Sequence, residues 1–580
     1  MHNDKLSRDR VRMLRWMILG AVCILIIRLF YIQVIEHDKY RILASNEQVK
    51  SLVIPAKRGE LYAMDQGSPV KVVLNETVYT VFADPKEVKN PDDVMNALRD
   101  IAGGNIVQDA SSLIRAKPSR YKVVARDVTR KQAEMLRSKK LAGIGFHEVS
   151  RRVYPEKSMA AQVFGFVNAE GKGQYGVEEF MNTSLHGKDG MLKAVTDVSN
   201  VPLTIGRDSV DIPAKNGSNV VLTIDRNVQS YAESALLKGL EKSGAKYGSV
   251  LVMNPQNGQI MAMANMPTYD PNEYNKVADA AAFNNATVST PYEPGSVMKT
   301  FTLAAAIDKG VIKPTSTYTN TDSIRVGDVT IGNASKGQTG NITMQHALNW
   351  SLNTGMVTVA QRLGNGSVIT SGARQTMYDY FHDRFGLGEL TGVQVAGEAK
   401  GRVYAPDSQE GNSVQYATMS FGQGMNLTMV QVAAGFSSII NGGNYYAPTV
   451  IAGSINSNGT YAQSANSRPL RRVISPEASK EVKQMVHDAR AAFYSKNDRK
   501  GYDIGGKTGT SQTLINGSYE NSQTVGSYLG YGGNNSSPRY VIMVQVSSPG
   551  KNLAGNTDAM PIFTDISNWM IDYLKIQPEE

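Results

Sequence analysis

Between Trp16 and Ile35 the chain reads WMILGAVCILIIRLFYIQVI, an apolar run broken only by Arg28 and Gln33. At 1.5 Å per residue such a run crosses a hydrocarbon core of about 30 Å, and it predicts a membrane-spanning helix. A cleaved signal would show a shorter apolar core followed by small residues, which this stretch lacks. Lys5, Arg8, Arg10, Arg12 and Arg15 precede the run and only Lys39, Arg41 and Lys50 follow at matching distance, which places the N-terminus in the cytoplasm and the remainder outside. Arg28 is expected to extend its head to the outer interface.

Beyond the span the pattern changes to short alternating runs and amphipathic stretches. LVIPAKRGELYAM and ETVYTVFADP read as strands, DVMNALRDIAGG and TRKQAEMLRSK as helices. GRDSVDIPAKNGSN, residues 205–219 with its flank, is polar and carries Pro and Gly, and predicts a linker. After it, NVVLTIDRNVQSYAESALLKGLEKSG predicts a strand, an N-cap at Asp225 and a long helix. GSVLVMNPQNGQIMAMANMP predicts a hairpin at Asn257-Gly258. VGSYLGYGG and RYVIMVQVSSP predict two further strands, and PIFTDISNWMIDYLKI a closing amphipathic helix. The expected organisation is a cytoplasmic tail (1–15), an anchor (16–35), an elongated α+β module (36–210) and a second α+β domain (211–580).

Composition narrows the function. With 580 residues, 41% of them apolar, there is material for a large core. The net charge of +9 is scattered rather than clustered, and aromatic residues are 8%, so no nucleic-acid partner is expected. Cys23 is the only cysteine and lies in the span, so the exported part holds no disulfide and no thiol nucleophile.

Residues 501–508, GYDIGGKT, match the phosphate-loop pattern G-x-x-x-x-G-K-[ST]. No apolar strand leads into them, and the Thr, Ser, Asn and Gly that follow are poor helix formers. A nucleotide site is therefore not expected. Histidines are few, and neither H-E-x-x-H nor G-x-S-x-G occurs. No metal and no cofactor is expected, which leaves serine chemistry with a lysine base.

The spacing S-x-x-K places both side chains on one helical face, but Ser68/Lys71, Ser119/Lys122, Ser243/Lys246 and Ser548/Lys551 share it with Ser296/Lys299. Context selects the last pair: in YEPGSVMKTFTLAAAIDKG a Pro-Gly turn precedes an unbroken helical pattern, so Ser296 and Lys299 are expected in a helix's first turn. WSLNTG supplies Ser351 and Asn353 as S-x-N beside a helix-like run, whereas Ser454/Asn456 and Ser464/Asn466 fall in polar chain. Lys507-Thr508-Gly509 occurs once.

The order S-x-x-K, S-x-N, K-T-G is that of penicillin-binding proteins and serine β-lactamases. The chain resembles the class B, monofunctional penicillin-binding proteins over nearly its whole length. AKRGELYAMD looks like their R-G-x-[IL]-x-x-x-D segment. RRVYPEKSMAAQVFGFVNAEGKGQYGVEEFMNTSLHGKDG looks like their pedestal, and LTIDRNVQ, MNPQNGQIMAMANMPTYDPN, SFGQGMNLTMVQVAAGFSSIINGG and PIFTDI extend the match. FGQG with QVAAGFSSIINGG looks more like division-specific than elongation-specific members.

The resemblance implies an antiparallel sheet sandwiched by helices, with KTGTS on an edge strand. It implies peptidoglycan D,D-transpeptidation: Ser296 the nucleophile, Lys299 its base, Ser351 a proton relay. Asn353 would hold Lys299 and substrate, and Lys507 would keep the field positive. Thr508 and Thr510 would bind the substrate carboxylate, Gly509 would let the substrate peptide lie against the strand, and the backbone amides of Ser296 and Thr510 would form the oxyanion hole. Implied partners are peptidoglycan stem peptides, β-lactam antibiotics, a polytopic glycan polymerase of the SEDS type and division-complex membrane proteins. Leu352 in S-x-N and Ser511 after KTGT are mild departures. A β-lactamase, a β-lactam sensor and a division scaffold with a degenerate site remain as alternatives.

Overall fold

The computed structural model describes residues 3–40, 49–117, 119–195, 210–464, 468–515, 518–535 and 537–578. They fall into two compact units, Met1–Arg58 with His186–Gly217, and Gly59–Leu185 with Ser218–Glu580.

In the first unit a helix runs from Asn3 to Phe30 and continues as the wider-wound Tyr31–Ile35. Its segment Arg10–Ile35 has mean hydropathy 2.5, and none of its most apolar stretch is buried among the described residues. A long apolar helix suits a bilayer, because within the hydrocarbon its backbone groups are satisfied by the helix's own hydrogen bonds. The Arg28 guanidinium lies 5.6 Å from the Tyr31 ring centroid, a cation over an aromatic face. The same unit holds an antiparallel sheet of Val49–Ile54, Gly190–Val195 and Val210–Ile212. The expected linker thus contains a strand, and its residues 205–209 lie outside the described residues.

The second unit begins with a seven-stranded sheet. Ser68–Ala83 pairs antiparallel with Leu61–Asp65, Lys122–Thr129 and Ile144–Val153. The helices Pro91–Ala102 and Arg130–Ser138 contribute Val94, Leu98, Ala133 and Leu136 to a core with Val81 and Val124 from these strands. Thr129 and Gln132 form the capping box that starts the second of these helices. Asn219–Asp225 pairs in parallel with Leu61–Asp65 and antiparallel with Ile451–Ile455. One sheet therefore joins strands from both sides of the 210/211 line drawn from composition.

A five-stranded antiparallel sheet follows, in the order Ile260–Met266, Tyr247–Met253, Ser537–Ser547, Ser518–Asn534, Asp503–Ile515. Alternation in YVIMVQV serves two cores. Ile542, Val544 and Val546 pack with the helices Arg226–Ser243 and Met560–Tyr573, while Val541 and Met543 face Lys299–Asp308, Met429–Ile440 and Pro476–Tyr494. Each such side chain removed from water contributes about 1.5–3 kcal/mol. Asp225 caps the first helix by accepting from the amides of Asn227 and Val228. Asn254 to Gln259 link the hairpin strands, with Gly258 at φ 75°, a longer connection than the two-residue turn expected.

Candidate active site

Tyr292-Glu293-Pro294-Gly295 delivers the chain into a 3-10 turn, Gly295–Met298, from which the α-helix Lys299–Asp308 continues. Ser296 therefore stands in the turn ahead of the helix rather than in its first α-turn, and Lys299 is the first α-helical residue. The spacing of three still aligns them, because 3-10 geometry eclipses i and i+3. Gly295 has φ 62°, and a Cβ there would stand 2.8 Å from the Thr510 carbonyl oxygen. Only glycine permits this approach of the Ser296 turn to the Asp503–Ile515 strand.

Lys299 is fully buried. Its Nζ donates to the Ser351 carbonyl at 2.5 Å, to Ser351 Oγ at 3.1 Å and to Asn353 Oδ1 at 2.8 Å. Among the described residues no hydrogen bond joins it to Ser296. Ser351 lies between the helices Met344–Asn349 and Asn353–Arg362 with φ 54°, a left-handed conformation uncommon for a non-glycine residue. That backbone turns both its carbonyl and its hydroxyl toward Lys299. From the opposite side Lys507 Nζ donates to the same Ser351 Oγ at 2.9 Å, and to the Thr508 carbonyl and Oγ1 at 3.1 and 3.2 Å.

Two ammonium groups thus converge on one hydroxyl, and among the described residues neither forms a salt bridge with a carboxylate. Burial pushes Lys299 well below the ordinary lysine range, with the positive charge of Lys507 adding to the effect. Burial also pulls Lys507 down, to about 7. A desolvated lysine near a second cation is one that can lose its proton near neutrality.

Asp503–Ile515 pairs on one side only, with Ser518–Asn534, so KTGTS lies on an edge strand. This extended conformation also removes the phosphate loop, which needs a turn opening a helix. A Cβ on Gly509 would stand 2.3 Å from Ser527 Oγ and 2.8 Å from the Pro294 carbonyl oxygen. Thr510 is exposed, and its Oγ1 accepts from the Gly555 amide at 3.2 Å. Ser296, Ser351, Asn353, Lys507, Thr508 and Thr510 line one cavity of about 740 Å³.

The competing serine–lysine pairs go elsewhere. Lys71 pairs with Glu60 at 2.9 Å, and Lys551 donates to the Ser243 carbonyl at 2.6 Å. Ser454 lies in a sheet strand, while Asn466 is outside the described residues.

Three contacts were not read from the sequence. Buried Glu293 accepts from the Gly424 amide at 2.8 Å, fastening the SFGQG loop beside the Ser296 turn. The Gly332 carbonyl accepts from Asn353 Nδ2 at 2.9 Å. Trp350 and Phe493 also line the cavity, packed edge to face with centroids 5.2 Å apart. The quoted YEPGSVMK and SFGQG segments contained the first pair, but nothing in their pattern joined them.

Comparison with known proteins finds two family domains along the chain. Residues 248–568 match the penicillin-binding protein transpeptidase domain, and residues 53–222 match the penicillin-binding protein dimerisation domain. Stage V sporulation protein D of Bacillus subtilis is 30% identical over 98% of this chain and 87% of its own length. A probable peptidoglycan D,D-transpeptidase PenA of Neisseria meningitidis is 26% identical over 96% of this chain and 91% of its own. Among solved structures, penicillin-binding protein 2X of Streptococcus thermophilus superimposes with a TM-score of 0.73 at 24% identity, covering 91% of this chain and 80% of that one. A transpeptidase domain over more than half the chain, joined to a dimerisation domain, identifies the chain as a member of the penicillin-binding protein family, in its class B.

Proposed function

We propose that the protein is a membrane-anchored peptidoglycan D,D-transpeptidase working through a serine acyl-enzyme, in septal wall synthesis. The observation that carries this reading is the buried Lys299, bonded to Ser351 and Asn353 and depressed in pKa by burial and by Lys507. The related PenA proteins, named as probable D,D-transpeptidases, support the substrate class.

In this reading neutral Lys299 removes the proton of Ser296 as its Oγ bonds to the carbonyl carbon of the penultimate D-alanine. The resulting oxyanion meets the amides of Ser296 and Thr510, whose segments abut at Gly295. Lys299 returns the proton through Ser351 Oγ to the departing nitrogen, the peptide bond breaks and terminal D-alanine leaves. The amine of a second stem peptide then attacks the ester, loses its proton by the reverse route, and frees Ser296 with a new cross-link formed. Lys507, Thr508 and Thr510 hold the substrate carboxylate, and Gly509 leaves room for the peptide along the edge strand. A β-lactam carbonyl enters the same attack and remains as an ester.

The apolar helix anchors the chain, and the basic cluster before it sets the catalytic unit outside the cytoplasm. The anchor and the dimerisation-type module are the surfaces for a SEDS-type polymerase and division proteins.

The test is intact mass after incubation with benzylpenicillin. A lasting single adduct on the parent and none on Ser296→Ala is expected. Rapid loss of the adduct with turnover of the drug would make the protein a hydrolase, and no adduct on folded parent would remove the catalytic reading.

A further inference from the structure

The helix that carries Asn353 begins without a cap of its own. Leu352 occupies its N-cap position and forms no side-chain cap bond, so the first-turn amides need acceptors from elsewhere. Asn333 supplies one from a different part of the chain: its Oδ1 accepts from the Thr354 amide at 3.0 Å. The adjacent Gly332, last residue of the strand Val329–Gly332, takes Asn353 Nδ2 on its carbonyl. Two neighbouring residues thus hold the backbone and the side chain of two neighbouring residues at the helix start.

The orientation of the Asn353 amide follows from this. With Nδ2 committed to Gly332, Oδ1 is the atom that meets Lys299 Nζ. The flipped amide would set carbonyl against carbonyl and NH2 against ammonium. Asn333 is itself fixed: its Nδ2 donates to Asn320 Oδ1 at 3.2 Å and Asp322 Oδ1 at 3.3 Å, and its backbone amide to the Asp322 carbonyl at 3.1 Å. Asn320 Oδ1 also accepts from Thr354 Oγ1 at 2.9 Å, and Asp322 Oδ2 accepts from the Gly337 amide at 2.7 Å. Asn320, Asn333 and Thr354 are at most 4% exposed, so loss of the Asn333 side chain takes from the buried Thr354 amide the acceptor it has.

We infer that Asn333 is a positioning residue for acylation: it caps the helix from across the fold and holds the Gly332 carbonyl where that carbonyl aims Asn353 at Lys299. This rests on Lys299 being the base. Neither Asn333 nor Asn320 belongs to any of the three motifs; Asn333, 4% exposed at the cavity wall, is placed to act through the Asn353 helix, with Asn320 holding it.

The test uses the full chain in detergent. Asn333→Ala is expected to speed hydrogen exchange in the peptide containing Thr354. It should slow the acylation step with benzylpenicillin about tenfold, as loss of one well-placed hydrogen bond does, with the preceding binding constant changed by less than about twofold on the same scale. In an Asn353→Ala background the same substitution should have no further effect on the residual acylation rate, because the residue it positions is gone. Equal slowing in both backgrounds, or unchanged exchange at Thr354, would overturn the inference. If Asn333→Ala does not fold, Asn333→Ser, whose oxygen falls short of Thr354, takes its place. A parent that is never acylated would defeat the Lys299 reading, while the exchange result would still judge the clamp.

Discussion

Asp503 and Lys507 stand on the same edge strand and, by the two-residue period, on the same face of it. Both are at most 4% exposed, yet their surroundings are opposite. Asp503 lies 2.9 Å from Lys483 Nζ, 3.0 Å from His487 Nδ1 and accepts from Tyr531 OH at 2.9 Å. Burial alone would raise its pKa, but His487 and Lys483 outweigh burial and hold the carboxylate below its usual range. Lys507 has only hydroxyl and carbonyl oxygens, and burial draws it toward neutrality. A buried charge with partners of opposite sign keeps its charge and holds structure together. A buried charge left with neutral acceptors becomes a group that exchanges protons near pH 7. One strand carries one of each.

The sharpest way to break this contrast is Lys507→Ala. We expect acylation by benzylpenicillin to fall by about 10² to 10³, the scale of losing one electrostatic contributor to a transition state. The pH profile carries the sign. In the proposed mechanism neutral Lys299 is the competent base, so the rate is expected to rise with pH through its pKa. Removing the cation that helps depress that pKa lets it rise, and the acid limb moves to higher pH. A lower rate with an unmoved limb would mean that Lys507 binds substrate without tuning Lys299.

Asp503→Asn probes the other end. It leaves Lys483 and His487 facing a neutral amide, and breaking a buried pair costs about 3 kcal/mol. The expected result is a lower melting temperature, with acylation per folded molecule changed by less than about threefold, under 1 kcal/mol in activation free energy. Intact stability with a collapsed acylation rate would place Asp503 inside the catalytic system and dissolve the comparison.

How much of this was legible beforehand depends on the range of the contacts. Ser296, Lys299 and Lys507 could be singled out because local punctuation, Pro294-Gly295 before one and the absence of a helix after the other, excluded competing readings. Asp225 as a cap and four of the five strands of the second sheet follow from short-range pattern in the same way, whereas the fifth, Asp503–Ile515, was implied only by the family resemblance. The 3-10 turn under Ser296 escaped notice because its composition equals that of an α-turn. The left-handed Ser351 escaped because only its neighbours in space, Lys299 and Lys507, hold it there. The parallel pairing of Asn219–Asp225 with Leu61–Asp65 and the capping of Thr354 by Asn333 join distant residues with no shared periodicity. No local window contains them.

The smallest effect expected is at His487, and its direction with pH separates charge from packing. The Asp503 carboxylate raises the pKa of His487 above its ordinary 6.5, against the lowering effect of burial. A group whose folded pKa is raised contributes stability that is fully present below the unfolded value and is lost as pH rises through the folded one. His487→Ala should therefore lower the melting temperature more at about pH 5.5 than at about pH 8.5, either side of the histidine range. Asp503, with its pKa lowered, works in another window: its contribution is present above 3.8 and is lost only as pH falls below that value. The His487 side chain is 34% exposed, so solvent screening should hold the difference within about 1 kcal/mol. Equal losses at both pH values would make His487 a packing residue, leaving Lys483 as the cation that keeps Asp503 ionised at the end of the strand opposite Lys507.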